Sequence, residues 1–505
     1  MMDLLLQALP NLLDIKVILI LIAGVVVGTA IGSLPGLTAT MGVALILPIT
    51  FGMGAVTGIL LLVGVYFGSI YGGSIAAILL NTPGTPASAA TAIDGYAMAQ
   101  RGLAYKALTV STLSSVIGGV ISVIVLILVA PQLAVFALKF SAPESFALAV
   151  FGLSIISSIA GRSLIKGFIM CFVGLLIASI GMDPVGGFPR FNFGSTNLMS
   201  GANFIAIMIG LFAASQAFQT VEDSLKTSTI IQEIHKVKLK WSEFKSLIVT
   251  ILRSSGIGTF IGMIPGAGGD ISCFVAYGEA KRFARKTDKF GEGEIKGVAA
   301  PEAANNATTG GAMIPLLTLG IPGDAVTAVM LGALMVQGLQ PGPLLFEQHP
   351  DVVYTLFLGM LLANVLILVI GLPAIRLFVK VLSVPKIVIA SIILILCVIG
   401  SYALGNNMFD VWVMLIAGLV GYFMNKHDYP ASPVILALIL GPMMESNFRR
   451  SLLIGEGDVF IFFTRPISAV LIGLAVITLF TPIIKDQFIK KDSTSNKDSE
   501  DRKVI

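Results

Sequence analysis

Apolar blocks recur along this chain from Val17 to Ile484, and its charged residues gather in the gaps between them. The hydrocarbon core of a bilayer is about 30 Å thick and takes roughly 20 helical residues to cross. Inside it the backbone must satisfy its own hydrogen bonds, which a helix does within a single segment. Blocks of the required kind lie near 17–34, 57–80, 108–130, 145–160, 164–180, 204–220, 246–264, 312–336, 352–378, 384–404, 409–424 and 457–482. The expected fold is an all-α, multi-pass integral membrane protein of about 12 transmembrane helices in a lipid bilayer.

Composition agrees. Of 505 residues, 56% are hydrophobic and 12% charged, against about 25% charged in an average soluble domain. The net charge of +4 is mild and is spread between the apolar blocks rather than along one face. Basic loops of this kind orient membrane proteins, and no nucleic-acid partner is expected. The stretches 222–245 (Lys226, Lys236, Lys238, Lys240, Lys245) and 279–296 (Lys281, Arg282, Arg285, Lys286, Lys289, Lys296) are expected to face the cytoplasm. Cys171, Cys273 and Cys397 stand far apart in apolar settings and read as small buried hydrophobes. The opening residues lack an early basic cluster and a small-residue cleavage site, so an interfacial segment is expected rather than a removable signal peptide.

Gly28-Thr29-Ala30-Ile31-Gly32-Ser33-Leu34-Pro35-Gly36 recurs as Gly258-Thr259-Phe260-Ile261-Gly262-Met263-Ile264-Pro265-Gly266, so that Pro35 becomes Pro265 at an offset of 230. Farther on, Gly72 and Pro83-Gly84 correspond to Gly311 and Pro322-Gly323 at an offset of 239. Order and spacing are both kept, which predicts two structural repeats, inverted with respect to each other in the membrane. The chain then divides into a first repeat half at 1–221, a charged connection at 222–245, a second half at 246–484 and a disordered cytoplasmic tail at 485–505.

Paired interruptions of this kind point to a transporter's central site, as Pro-Gly-broken helices or re-entrant hairpins. In the first island, Asn81-Thr82-Pro83-Gly84-Thr85-Pro86-Ala87-Ser88, the chain can begin a new half-helix whose first amides lack partners. Those amides suit an anion, with Thr82, Thr85 and Ser88 as added hydroxyl donors. The second island, Pro301 to Gly311, carries Glu302, Asn305, Asn306, Thr308 and Thr309, whose oxygens suit a hard cation such as sodium. It leads to Pro322-Gly323-Asp324, a second anion-facing turn. Close helix packing by small residues is the competing account of both islands.

Ionisable residues in or near the spans are Asp94, Glu144, Asp183, Asp270, Glu302 and Asp324. Asp270 and Glu302, beside the second-half motifs, are the preferred functional candidates, whereas Glu144 and Asp183 are placed at helix ends. Arg101 has the chemistry to grip a substrate carboxylate, but a surface position at a helix end accounts for it better. HExxH, GxSxG, Cys-x-x-Cys and a nucleotide phosphate loop are all missing, and His235, His349 and His427 are scattered. No cofactor is expected, and the driving force must come from an ion gradient or a separate subunit.

With these residues in view, the chain resembles the large membrane subunit of the tripartite tricarboxylate transporters. The likeness rests on GSLPGLTATMGVALILPITFG at 32–52, YGGSIAAILLNTPGTPASAATAIDGYAMAQRG at 71–102, GTFIGMIPGAGGDISCFVAYGEAKR at 258–282, FGEGEIKGVAAPEAANNATTGGAMIPLLTLGIPGD at 290–324 and LGALMVQGLQPGP at 331–343. The resemblance implies a secondary transporter of the bacterial inner membrane. It would work with a small membrane subunit and a periplasmic solute-binding protein, and take up citrate or a related carboxylate with sodium or protons. Ala97, Gln100 and Lys296 depart from the family pattern, which has Pro, Arg and Glu there, and citrate itself is not assured.

Two other classes compete. An intramembrane enzyme acting on a lipid or isoprenoid head group would need a catalytic cluster, for which Asp270, Asp324 and Glu302 are the ingredients. A passive channel or structural subunit would need none.

Overall fold

The computed structural model describes residues 2–154, 163–183, 186–224, 237–266, 268–381 and 385–479. In chain order the helices are α1 (Met2–Leu13), α2 (Ile15–Ser33), α3 (Ala39–Ile46), α4 (Ala55–Leu80), α5 (Ala89–Gln100), α6 (Ala104–Ala137), α7 (Ala142–Ser154) and α8 (Leu164–Ala178). There follow α9 (Phe204–Glu222), with a π-helical turn at Ile209–Ala214, then α10 (Trp241–Met263), α11 (Gly268–Arg282), α12 (Ile295–Leu319) and α13 (Ala325–Val336). The last are α14 (Pro343–Gln348), α15 (Pro350–Val381), α16 (Lys386–Gly405), α17 (Met408–Lys426), α18 (Ser432–Ile454), α19 (Ile461–Thr464) and α20 (Pro466–Leu479). Among the described residues the only strands are β1 (Gly181–Met182) and β2 (Pro189–Arg190), an antiparallel pair.

Eight of these helices, α2, α4, α6, α9, α10, α15, α16 and α17, are long and apolar enough to cross a membrane. The expected segments at 145–160 and 164–180 hold, among the described residues, helices of 13 and 15 residues, with 155–160 outside the described residues. The segment expected at 312–336 is cut at Pro322-Gly323 into the end of α12 and the 12-residue α13. At 25 residues α12 is long enough to cross but carries Glu302, Asn305, Asn306, Thr308 and Thr309, all buried. Enclosure by protein removes the need to be apolar towards lipid.

The described residues pack as two compact units, each discontinuous in sequence: those within 1–139 and 203–426, and those within 140–202 and 427–479. In the second, α18 lies on α7 and α8. Arg465 sits 3.3 Å from Glu144 in the first turn of α7, and Arg449 sits 2.8 Å from Asp183 just past β1. Both acids are thus paired at element ends. Within the charged connection, 225–236 lie outside the described residues, as do His235 and the whole of 485–505.

The core of the first unit is α4 and α12, buried from Gly58 to Leu79 and from Gly297 to Thr318. Small residues let their neighbours approach backbone to backbone. On α2, a Cβ at Gly28 or Gly32 would strike the carbonyl of Val65 or Ser69 on α4. On α10, a Cβ at Gly258 or Gly262 would strike the carbonyl of Ala304 or Thr308 on α12. The contact partners keep the offsets of the sequence motif, 28 to 258 on one side and 65 to 304 on the other.

Residue pairing also gives the helix directions. Gly28 with Val65 and Gly32 with Ser69 make α2 and α4 parallel; the matching pairs make α10 and α12 parallel. Tyr71 with Thr112 and Ser74 with Ser111 make α4 and α6 antiparallel. Ser111 with Glu302, Gly118 with Ala303 and Ser122 with Gly310 make α6 and α12 parallel. It follows that α4 and α12 run in opposite directions, and so do the pairs they head.

Candidate functional site

Each core helix ends in a left-handed residue, Asn81 (φ 53°) after α4 and Gly320 (φ 69°) after α12, and the chain then doubles back along it. Gly84 returns to the level of Gly73, whose carbonyl accepts its N–H at 3.3 Å, and lies against the carbonyl of Gly32. Gly323 returns to the level of Ala312, and a Cβ there would come 2.9 Å from the Gly262 carbonyl. The pairs 84/73/32 and 323/312/262 again share the offsets of 239 and 230. Pro35-Gly36 and Pro265-Gly266 end α2 and α10 with matching positive φ at the glycine, 90° and 80°, and the Gly266 N–H donates to the Gly323 carbonyl at 2.7 Å.

After each turn a new helix starts. Thr85 precedes a single turn at Pro86–Ser88 that leads into α5, and the Ser88 hydroxyl donates to the Thr85 carbonyl at 2.8 Å. Asp324 caps α13: one carboxylate oxygen accepts the Thr327 N–H and hydroxyl, both at 2.7 Å, and the other accepts the Tyr66 hydroxyl at 2.9 Å. The first turn of α11 lies between the two starts. A Cβ at Gly268 would sit 3.6 Å from Asp324 Cβ, and one at Gly269 would sit 3.2 Å from Ala87 Cβ. Asp270 lies in that same turn, its surface exposed.

The expected anion residues therefore separate. Thr85, Ser88, Gly84, Pro322, Gly323 and Asp324 lie at the buried turns, whereas Asn81 and Thr82 are exposed at the end of α4, where the Thr82 hydroxyl donates to the Leu80 carbonyl. Tyr66 escaped notice in the sequence because nothing in the apolar run around it marks its partner, 258 residues away.

The second island is helical throughout. Residues 301–311 form uninterrupted helix within α12, so their carbonyls are mostly committed to the helix instead of facing a cation. Thr308 donates to the Ala304 carbonyl and Thr309 to the Asn306 carbonyl. Pro315, which lacks an N–H, leaves the Gly311 carbonyl without its usual donor. What the helix does present is Glu302, fully buried, its carboxylate accepting from Thr91 (2.6 Å) on α5 and from Ser115 (3.0 Å) and Ser111 (3.2 Å) on α6. The Asn306 amide donates to Ser115, leaving its oxygen unpartnered, and both polar atoms of the Asn305 amide are buried without a partner. Ser111 and Ser115 are an unforeseen part of this cluster, since serines on a long apolar helix read equally well as packing residues.

Asp94 is fully buried midway along α5 and accepts from the Gly291, Gly293 and Glu294 amides and from the Tyr277 hydroxyl, at 2.8–2.9 Å. It pins the loop that opens α12. Arg101 is exposed at the end of α5, as the surface account requires.

A buried polar centre, assembled from broken helices and helix starts in an otherwise apolar helical protein, is the build of a membrane transporter. Comparison with known proteins agrees: the family model described as the Tripartite tricarboxylate transporter TctA family matches residues 18–436, and the chain belongs to that family. It is 38% identical over 476 residues, 93% of this chain and 95% of the relative, to the "Uncharacterized 52.8 kDa protein in TAR-I ttuC' 3'region" of Agrobacterium vitis. It is 36% identical over 241 residues, 48% of this chain and 100% of the relative, to the "Uncharacterized protein in TAR-II ttuC' 3'region" of the same organism. No solved structure matches.

Proposed function

We propose that this chain is the large permease subunit of a secondary, ion-gradient-driven transporter of the bacterial inner membrane, taking up a small di- or tricarboxylate. A periplasmic solute-binding protein delivers the substrate, and a small membrane subunit completes the system. The observation that carries the reading is the matched packing of two broken-helix pairs that run in opposite directions. Inverted repeats meeting at a polar centre suit alternating access, in which one half rocks against the other around a central ligand.

In this reading the carboxylates lie at the turns around Gly84, Thr85 and Ser88 and around Pro322, Gly323 and Asp324. The coupling cation, sodium or proton, lies at Glu302 and Asn306, with Thr308 and Thr309 on the same helix. Among the described residues no Lys or Arg bonds to Glu302, so a cation from outside supplies the charge that burial of a carboxylate demands. The starts of α6 and α10 adjoin through Lys106 and Glu243, 2.6 Å apart. Together with the basic end of α11 they form the cytoplasmic side by the positive-inside rule.

Membrane vesicles carrying the chain with its companion subunits are expected to accumulate labelled citrate, malate or succinate above the equilibrium ratio, and an ionophore is expected to abolish this. Failure across that whole panel would overturn the proposal.

A further inference from the structure

The two halves place their equivalent residues differently at the polar centre. At the offset of 239, Tyr66 on α4 corresponds to Asn305 on α12, and Thr85, before α5, corresponds to Asp324, before α13. Tyr66 reaches across to the opposite half's helix start and bonds Asp324 at 2.9 Å, so that contact is complete within the protein. Asn305 instead meets the start of α11 in its own half, where a Cβ at Gly269 would be 2.7 Å from its Oδ1 and 3.2 Å from Ala87 Cβ. Here both amide atoms of Asn305 and the Thr85 hydroxyl are buried with no hydrogen-bond partner.

An amide buried in this way costs free energy unless something supplies both a donor and an acceptor. Whichever way the amide is flipped, one end must donate and the other accept. The adjacent first turn of α11 adds backbone amides without intrahelical partners and the positive end of a 15-residue helix. Gly269 lets that turn close directly on Asn305, where a Cβ would come 2.7 Å from the amide oxygen. A carboxylate supplies acceptors for the α11 amides and the Asn305 NH2, and a hydroxyl on the neighbouring carbon supplies the donor for the Asn305 oxygen.

We infer that Asn305 and the N-terminus of α11 bind a 2-hydroxycarboxylate end of the transported molecule, so that Asn305 reads the hydroxyl and serves the substrate rather than the coupling cation. This rests on the carboxylate-uptake reading above. It narrows that reading to acids with a hydroxyl beside a carboxylate, and it makes the centre asymmetric, with one half reading the ligand where the other is closed by Tyr66 and Asp324.

The test uses pairs of acids that differ by one hydroxyl: citrate with tricarballylate, and malate with succinate. An unpaired buried polar group costs about 5- to 150-fold in affinity, so the hydroxy acid of each pair is expected to compete for uptake better by that factor. In N305L and in N305A the preference is expected to fall within about twofold. Because the ratio is internal to each variant, partial loss of folded protein cancels. Thermal stabilisation of the purified chain by the same four acids reads binding without transport. If the chain binds citrate over tricarballylate in an Asn305-dependent way but vesicles move neither, the uptake reading fails and the site stands. If the wild type handles both members of each pair alike, or N305L keeps the preference, the site is refuted whatever the transport result.

Discussion

Replacing Glu302 by Gln separates the structural role of that carboxylate from its proposed role in coupling. The carboxylate accepts three hydroxyl hydrogen bonds, from Thr91, Ser111 and Ser115, and among the described residues no Lys or Arg bonds to it. A hydrogen bond to a charged group is worth about 1.5–3 kcal/mol and one between neutral groups about 0.5–1.5 kcal/mol. The exchange therefore sacrifices roughly 3–4 kcal/mol over three bonds. Against this it removes a buried charge whose desolvation costs several kcal/mol. The two effects nearly cancel, because an amide can still accept from one hydroxyl and donate to another. The thermal midpoint of E302Q is expected within a few degrees of the wild type, whereas E302A strips the Thr91 hydroxyl of its acceptor, opens a cavity and loses about 3 kcal/mol or more. Gradient-driven accumulation should disappear in E302Q while exchange of labelled for unlabelled substrate across the membrane persists. Accumulation at the wild-type level in a well-folded E302Q would show that the coupling cation binds elsewhere.

Further outcomes are expected from the same contacts. In D94A three backbone amides and the Tyr277 hydroxyl lose a buried acceptor, at about 1–3 kcal/mol for each group left unpaired; hydrogen exchange at 291–294 should accelerate well beyond that of the α12 interior. G32A and G262A should both destabilise, by about 1–3 kcal/mol for an overpacked contact, since the added methyl meets a carbonyl oxygen on the neighbouring core helix in each case; a midpoint unchanged in either would undo the equivalence of the two pairs. In the α11–α12 loop, burial works against the Asp288 charge, but the Lys296 ammonium at 2.6 Å and the Arg285 amide hold its carboxyl below the usual carboxylate range. A depressed folded value contributes stability above the unfolded value of about 3.9 and loses it as pH falls further. Protection of this loop from protease should therefore be flat at neutral pH and decline below about pH 4, and K296A should lower the neutral plateau.

Much of the architecture was legible in the sequence because it depends on local quantities. Whether a segment crosses a membrane follows from its length and apolarity, and whether a helix breaks follows from Pro and Gly, whatever lies beside it. The motif pairs at 28–36 and 258–266, and at 83–84 and 322–323, were thus visible before any packing was known. The surroundings of the cation island were not legible in the same way, because the packing of α12 against α6 and α10 that encloses its polar residues is not a local quantity.

Polar partnerships were beyond reach of the sequence. Tyr66 with Asp324, Thr91 with Glu302, and Asp94 with the 291–294 amides join residues about 200 or more positions apart. Each depends on how far one helix slides along another, and a shift of one residue moves a side chain about 100° around its axis. Apolar length and chain breaks alone specified a helical membrane protein with an interrupted core. Helix register, set by glycine contacts spread over the whole interface, decided which of its polar groups meet and which are left facing the centre.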